Sequence, residues 1–283
     1  MIPVEWLTDN KIPVGRWLAD GVDWMTDNVA FLFIGLEWLF GGLIAVLLFL
    51  IQAPHPLLLV AAITALAWWM KRSWSFALIV GLGLLFIINQ GYWEETTETL
   101  TLVLAASAVC MALGVPIGIY LAHHPRAYRV SRPVLDLMQT LPTFVYLIPA
   151  IIFFGLGMVT GLVATVVFVI PAAIRHTQLG VSSTPEDLKE AAKAFGATAR
   201  QMLWSVELPH ARPTIMAGLT QTIMLSLSMV VIAALVGADG LGKSVVRALN
   251  TVNSSLGFES GLVIVTVAIL LDRLLGFTGD KRA

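Results

Sequence analysis

Residues Gly237-Ala238-Asp239-Gly240-Leu241-Gly242-Lys243-Ser244 satisfy the spacing G-x-x-x-x-G-K-S, the pattern of a loop whose backbone amides and lysine cradle phosphates. A later hydrophobic run ending in Asp272 mimics the second nucleotide-binding motif. Neither is read as an ATP site. The apolar run before Gly237 extends back to about residue 214, long enough to cross a bilayer, so the loop lies at the outer membrane surface and away from cytoplasmic ATP. About forty residues follow it, too few for the rest of a nucleotide-binding domain. The pattern is expected to form a glycine-rich outer turn.

Other chemistry-bearing residues are sparse. His123 and His124 are adjacent, and His55, His176 and His210 are scattered, so no pair has the i, i+4 spacing of helical metal ligands. Cys110 is the single cysteine and lies in an apolar stretch, which excludes an intrachain disulfide and a cysteine metal cage. No metal site, bound cofactor or catalytic residue is expected in this chain. Acidic groups inside apolar runs point by default to function. Glu37 is either a proton relay or a partnered carboxylate near the interface. Asp136, four residues after Arg132, is expected to form a local salt bridge, and Asp272 and Arg273 to be interfacial.

The elements that must position these groups follow from composition. Of 283 residues, 58% are hydrophobic and 12% charged, and the mean hydropathy is +0.85. That excludes an ordinary soluble protein. A net charge of −1 argues against a nucleic-acid partner. Apolar runs fall at residues 30–51, 56–70, 74–89, 98–121, 138–157, 159–176, 214–236 and 258–275. The fold class predicted is therefore all-α, a polytopic integral membrane protein with about 7–8 transmembrane helices, since the second and third runs are short enough to be tilted, partial or re-entrant. In an eight-span arrangement every Lys and Arg except Lys243 and Arg247 lies on one side, which is then cytoplasmic. Seven spans would move only the N-terminal tail outward. The acidic residues Glu5, Asp9, Asp20, Asp23 and Asp27 exclude a cleaved signal peptide. Val14, Trp17, Leu18, Val22, Met25 and Val29 recur at helical spacing, an amphipathic segment lying in the membrane interface or packed on the protein.

The longest polar insertion, residues 175–213, has its own helical grammar. Thr184-Pro185-Glu186-Asp187 reads as a start, with Thr184 the cap and proline in the first position, and acids follow at the positive end of the helix dipole. Leu188, Ala191, Ala192 and Phe195 share a face, and Gly196 is a stop. A second short helix is expected from Thr198 to about Val206, ending before Pro209. Phe195 on an otherwise polar helix is a knob for a partner's groove.

Glu190-Ala191-Ala192, Gly196, Val206 and Leu208-Pro209 resemble the EAA loop of permease subunits of binding-protein-dependent ABC importers, with Val206 where isoleucine is more usual. The resemblance spans roughly residues 95–275. The stretch Leu135-Asp136-Leu137-Met138-Gln139-Thr140-Leu141-Pro142-Thr143-Phe144-Val145-Tyr146, with Gln221-Thr222-Ile223-Met224, is similar to the quaternary-amine branch, which imports glycine betaine, proline betaine, choline or carnitine. Lys11-Ile12-Pro13-Val14-Gly15-Arg16-Trp17 is most similar to choline permeases. The resemblance implies a type I ABC importer permease fold in a bacterial inner membrane and alternating access. The partners implied are a second copy of the permease, two cytoplasmic ATPase subunits holding ATP and Mg, and a periplasmic or lipid-anchored binding protein. It divides the chain into an N-terminal segment 1–29, peripheral helices 30–91, a core 92–277 containing the coupling loop 177–213, and a tail 278–283. Glu190, Ala191, Ala192, Phe195, Gly196, Leu208 and Pro209 become the ATPase-coupling residues.

A path for such a substrate needs weak polar contacts and aromatic faces, because tight binding would trap it. Gln139, Thr143 and Tyr146, with Phe144 nearby, have helical spacing on the fifth run. Gln221, Leu225 and Ser228 have it on the seventh, with Thr222 and Met229 on an adjoining face. The competing reading is a proton- or sodium-coupled secondary transporter using Glu37, which would require inverted repeats or broken helices around midplane ion ligands; no convincing internal repeat is seen.

Overall fold

The structure, a computed structural model, describes residues 13–275. All regular structure in that range is helical. Helix α1 (Val14–Gln52) joins the amphipathic segment and the first apolar run into one 39-residue helix, with a kink at Val29 (φ −125°, ψ 20°) where the two were expected to meet. Lys11 and Ile12, part of the stretch similar to choline permeases, lie outside the described residues, as does the tail 278–283. Helices α2 (Pro56–Lys71) and α3 (Trp74–Asn89) have 16 residues each. At 1.5 Å per residue each is about 24 Å long, short of a bilayer core of about 30 Å. Arg72, in the left-handed conformation (φ 47°), turns the chain between them, and Ser73 caps α3 by accepting from the Phe76 N–H.

Helix α4 (Trp93–His123) leads into α5 (Pro125–Thr140) and α6 (Thr143–Phe154). These two replace the single span expected at 138–157. They meet at 93°, because Pro142 supplies no N–H and holds Leu141 in an extended conformation (ψ 136°). With Arg126, Arg129, Arg132 and Asp136, α5 is amphipathic and forms a polar arm before the apolar α6. Helix α7 (Met158–Ser182) follows. The cytoplasmic hook then comprises α8 (Glu186–Ala194), α9 (Ala199–Met202) and a π turn (Leu203–Glu207) that continues into α10 (Leu208–Ala234). Helices α11 (Leu241–Asn250) and α12 (Ser254–Leu275) complete the chain. Among the described residues five helices are long and apolar enough to cross a membrane, six if α5 and α6 count as one bent span. The sequence count of seven or eight is reached only by including α2 and α3.

The centre of the bundle is α4 against α7 against α10. Gly114 and Gly118 make the first contact possible. A Cβ at Gly114 would lie 2.6 Å from that of Ala173, and one at Gly118 2.6 Å from that of Thr177. Close approach through small residues replaces the hydrophobic drive that is absent in lipid. At the outer end, the phosphate-loop look-alike is a structural turn. Gly240 (φ +120°) is pressed on Thr99, and the Leu241 N–H donates to Thr99 Oγ1 at 2.9 Å. Lys243 pairs with Asp239, a hydrogen bond that raises the lysine above its ordinary pKa.

Candidate functional site

The hook is built by local rules. Helix α8 carries Glu186 and Asp187 in its first turn and Lys193 in its last, each on the favourable side of the helix dipole. Lys189 Nζ lies 2.8 Å from Glu186, and that contact holds the glutamate below the usual carboxylate range. Thr184 does not cap the helix as expected: the cap position is Pro185, and the Thr184 hydroxyl is buried without a hydrogen-bond partner. The stop is as expected. Gly196 takes φ +77°, its N–H donates to the Lys193 carbonyl at 2.9 Å, and the Ala197 N–H donates to Ala192 at 3.0 Å. This is the doubly bonded glycine cap of a helix C-terminus.

The cap throws Phe195 outward, 93% exposed. Glu190 and Ala191 are exposed beside it and Ala192 is half-buried. Thr198 and Gln201 then form a reciprocal capping box that starts α9. Contrary to expectation this second helix does not end before Pro209. It widens into the π turn and runs on into α10, the wider turn accommodating a proline that supplies no N–H. Leu208 is half-buried and Pro209 exposed, so both belong to the root of the span.

One pair that sequence reasoning missed fastens the hook to the core. Glu207, 5% exposed, ends the π turn, and its carboxylate lies 2.8 Å from His123 Nε2 at the end of α4. The partners are 84 residues apart, so no local spacing announces them. Asp136 likewise pairs across the fold: Arg175 Nη2 on α7 donates to it at 2.6 Å, in place of the expected bridge to Arg132. This ties the polar arm to the core.

The intramembrane set is only partly brought together. On α10, Ala217, Gln221 and Ser228 are exposed along one stripe that includes the half-buried Met224, adjoins the half-buried Leu225 and reaches the exposed Leu235 just past the helix end. Gln221 opens on a cleft of about 460 Å³ with Thr220, Met224 and Asp272. Asp272, expected to be interfacial, is exposed near the end of α12. Thr222 and Met229, placed on the path by sequence, are instead interior, 0% and 1% exposed, and the Thr222 hydroxyl donates to the Gly218 carbonyl at 2.8 Å. Gln139 is separated from Thr143 by the bend, so the four-residue spacing does not give them a shared helical face. Phe144 is exposed and Thr143 half-buried. Tyr146 has a fixed role as well: its hydroxyl donates to the Met138 carbonyl at 2.5 Å, bracing the bend. Glu37 lies on the exposed side of α1.

The described residues thus form a helical membrane bundle with a short polar hook, an exposed aromatic knob and an exposed stripe on a central span. Residues 114–277 match the family described as the inner membrane component of binding-protein-dependent transport systems, and the chain belongs to that family. It is 43% identical over 266 residues to the glycine betaine/carnitine transport permease protein GbuB of Listeria monocytogenes, covering 93% of this chain and 94% of that protein. Identity is 44% over 268 residues to the glycine betaine transport system permease protein OpuAB of Bacillus subtilis, covering 93% of each. Against the glycine betaine/proline betaine transport system permease protein ProW of Escherichia coli it is 41% over 277 residues, covering 96% of this chain and 77% of that protein. A chain of the inward-facing MetNI methionine ABC transporter shares the fold, with a TM-score of 0.58 at 22% identity, covering 68% of this chain and 96% of that one. The chain is thus a multi-pass bacterial inner-membrane protein of the quaternary-amine branch of these permeases.

Proposed function

We propose that the chain is the translocation subunit of an ATP-driven importer for glycine betaine, proline betaine or a closely related quaternary amine, working as a homodimer. Phe195, held outward on a rigid glycine-capped hook at the cytoplasmic end of a betaine-permease relative, carries the reading. The hook is the docking element for a separate ATPase that binds ATP and Mg, one per permease copy. Glu190, Ala191, Ala192, Phe195 and Gly196 form its contact and turn, and Leu208 and Pro209 lie where it enters α10. The reaction in this chain is a conformational one. ATPase closure moves the hook, the His123–Glu207 pair transmits the motion to α4, and the continuous π turn transmits it to α10. The exposed stripe with Gln221, Leu225 and Ser228 faces the second copy, and Phe144 and Thr143 border the same route. A quaternary ammonium donates no hydrogen bond from its cationic end, so weak amide, hydroxyl and aromatic contacts suit its passage better than an ion pair. A binding protein delivers the substrate from outside and sets most of the selectivity.

The reading favours betaines over choline because the three permease relatives above are named for betaine transport and none for choline. Proteoliposomes containing the permease, its ATPase and its binding protein decide it. Uptake of labelled glycine betaine should require internal ATP, and unlabelled proline betaine should compete better than choline. Uptake that persists without the ATPase and is abolished by Glu37→Gln would replace this reading with ion-coupled transport.

A further inference from the structure

A carboxylate at the hook end of the bundle stands without a partner. Asp136 pairs with Arg175 and Glu207 with His123, but Asp272, in the last turn of α12, makes neither a hydrogen bond nor an ion pair among the described residues. Charged side chains at membrane depth face a partner or a cavity. Asp272 faces a cleft. With Met216, Ala217, Thr220, Gln221 and Met224 of α10 it lines about 460 Å³ of space, in the size range of small-ligand sites. Arg273, the next residue, does not line the cleft, so no basic side chain of the wall neutralises the carboxylate.

We propose that this cleft is the inner exit station of the route, where Asp272 receives the quaternary ammonium of the departing substrate, a role that rests on the importer function proposed above. The wall suits that cation. Its methyl groups donate no hydrogen bond and pack on the thioethers of Met216 and Met224 and on Ala217, while Asp272 supplies the opposite charge. The carboxylate of a betaine finds a donor in the Gln221 side-chain amide, since the Thr220 hydroxyl already donates to the Met216 carbonyl at 3.3 Å. A primary ammonium, such as the headgroup of phosphatidylethanolamine, fits less well, because its N–H donors would meet mostly methyl and thioether groups. Asp272 and Gln221 are exposed, so water screens the ion pair and leaves the attraction weak enough for release. The stripe above the cleft on α10 offers uncharged contacts, and the opposite charge comes where the substrate leaves.

The test places a thiol in the cleft of the full chain, assembled with its ATPase in vesicles without nucleotide. Ala217→Cys puts it at an exposed position, against a background of the single, buried Cys110. Labelling by trimethylammonioethyl methanethiosulfonate, taken relative to neutral methyl methanethiosulfonate, should be about 3-fold faster with Asp272 than with Asp272→Asn, and Asp272→Glu should restore the ratio. Excess glycine betaine, compared with sucrose at the same osmolarity, should slow labelling when Asp272 is present and do so less in Asp272→Asn. An equal ratio in both backgrounds, or labelling that glycine betaine leaves unchanged, would overturn the site. Protection that depends on phosphatidylethanolamine in the vesicles instead of glycine betaine would overturn it in favour of a lipid headgroup. If Asp272→Asn fails to fold, protection of Ala217→Cys with Asp272 intact still decides. The labelling uses no ATP, so it can fail while ATP-driven uptake stands, whereas failure of the importer reading shows as uptake that persists without the ATPase.

Discussion

The central trio α4, α7 and α10 and the cytoplasmic hook are made of similar helices but are stabilised in opposite ways. In the trio, glycines and alanines bring backbones together, and Leu102, Val103, Leu162 and Ala233 are fully buried. Helix α8 of the hook buries no residue at all, its form rests on charges at its ends and a glycine cap, and a capping box then starts α9. The interior of the trio is closed, while one stripe of α10 stays exposed. The hook keeps its shape by local bonds and leaves Phe195 outward, the observation on which its proposed docking role rests.

That contrast is broken most directly at Gly118. A Cβ there would lie 2.7 Å from the Ile174 carbonyl as well as against Thr177, so Gly118→Leu must separate α4 from α7. The expected cost is about 3 kcal/mol or more, seen as loss of monodisperse protein on extraction from membranes. The hook should respond differently. Phe195→Asp should lower betaine uptake on the order of 10²-fold while the melting temperature stays within the change expected of a surface substitution, about 0.5 kcal/mol. A large fall in melting temperature would mean that Phe195 is packed rather than offered.

Between the two stands Glu207→Gln, which weakens the fastening of hook to core. Its carboxylate is buried but His123 is partly exposed, so the expected cost is about 1–2 kcal/mol. Uptake should fall more than ATP hydrolysis, a change in substrate moved per ATP that simple loss of stability would not produce. The smallest effect concerns Glu186. Its folded pKa is lowered by Lys189, so the pair's contribution is complete above the unfolded carboxylate's pKa and is lost only as pH falls through the lowered folded value. Protection of the α8 amides, taken relative to the intrinsic exchange rate at each pH, should therefore be unchanged from neutral to mildly acidic pH and fall only in stronger acid.

Legibility in the sequence followed how local each determinant is. The hook was readable because Pro185, the following acids, Gly196 and Thr198 punctuate it within a few residues. Its one misread cap, Thr184, failed because Pro185 took the cap position and the hydroxyl was buried instead. The long spans were readable from apolar length, and the kink at Val29 fell where polarity changes. The fifth run misled because helical spacing from Gln139 through Thr143 to Tyr146 continues straight across Pro142; the proline signals a possible kink, but periodicity alone carries no information about a bend. Thr222 and Met229 misled for a related reason: a polar or soft side chain in a span looks the same whether it faces a path or a neighbouring helix. The pairs Asp136–Arg175 and His123–Glu207 join residues 39 and 84 positions apart, set only by the packing of α5 on α7 and of the π turn on α4. Gly114-x-x-x-Gly118 was a legible signal for that packing and is the pattern expected of a close helix contact.

The most direct test of the central claim is co-purification of the tagged chain with its ATPase from membranes expressing both, comparing wild type with Phe195→Asp. The account predicts a complex of two permeases and two ATPases for wild type, and a folded permease that has lost the ATPase for the variant. A variant that keeps both the ATPase and full uptake would contradict it.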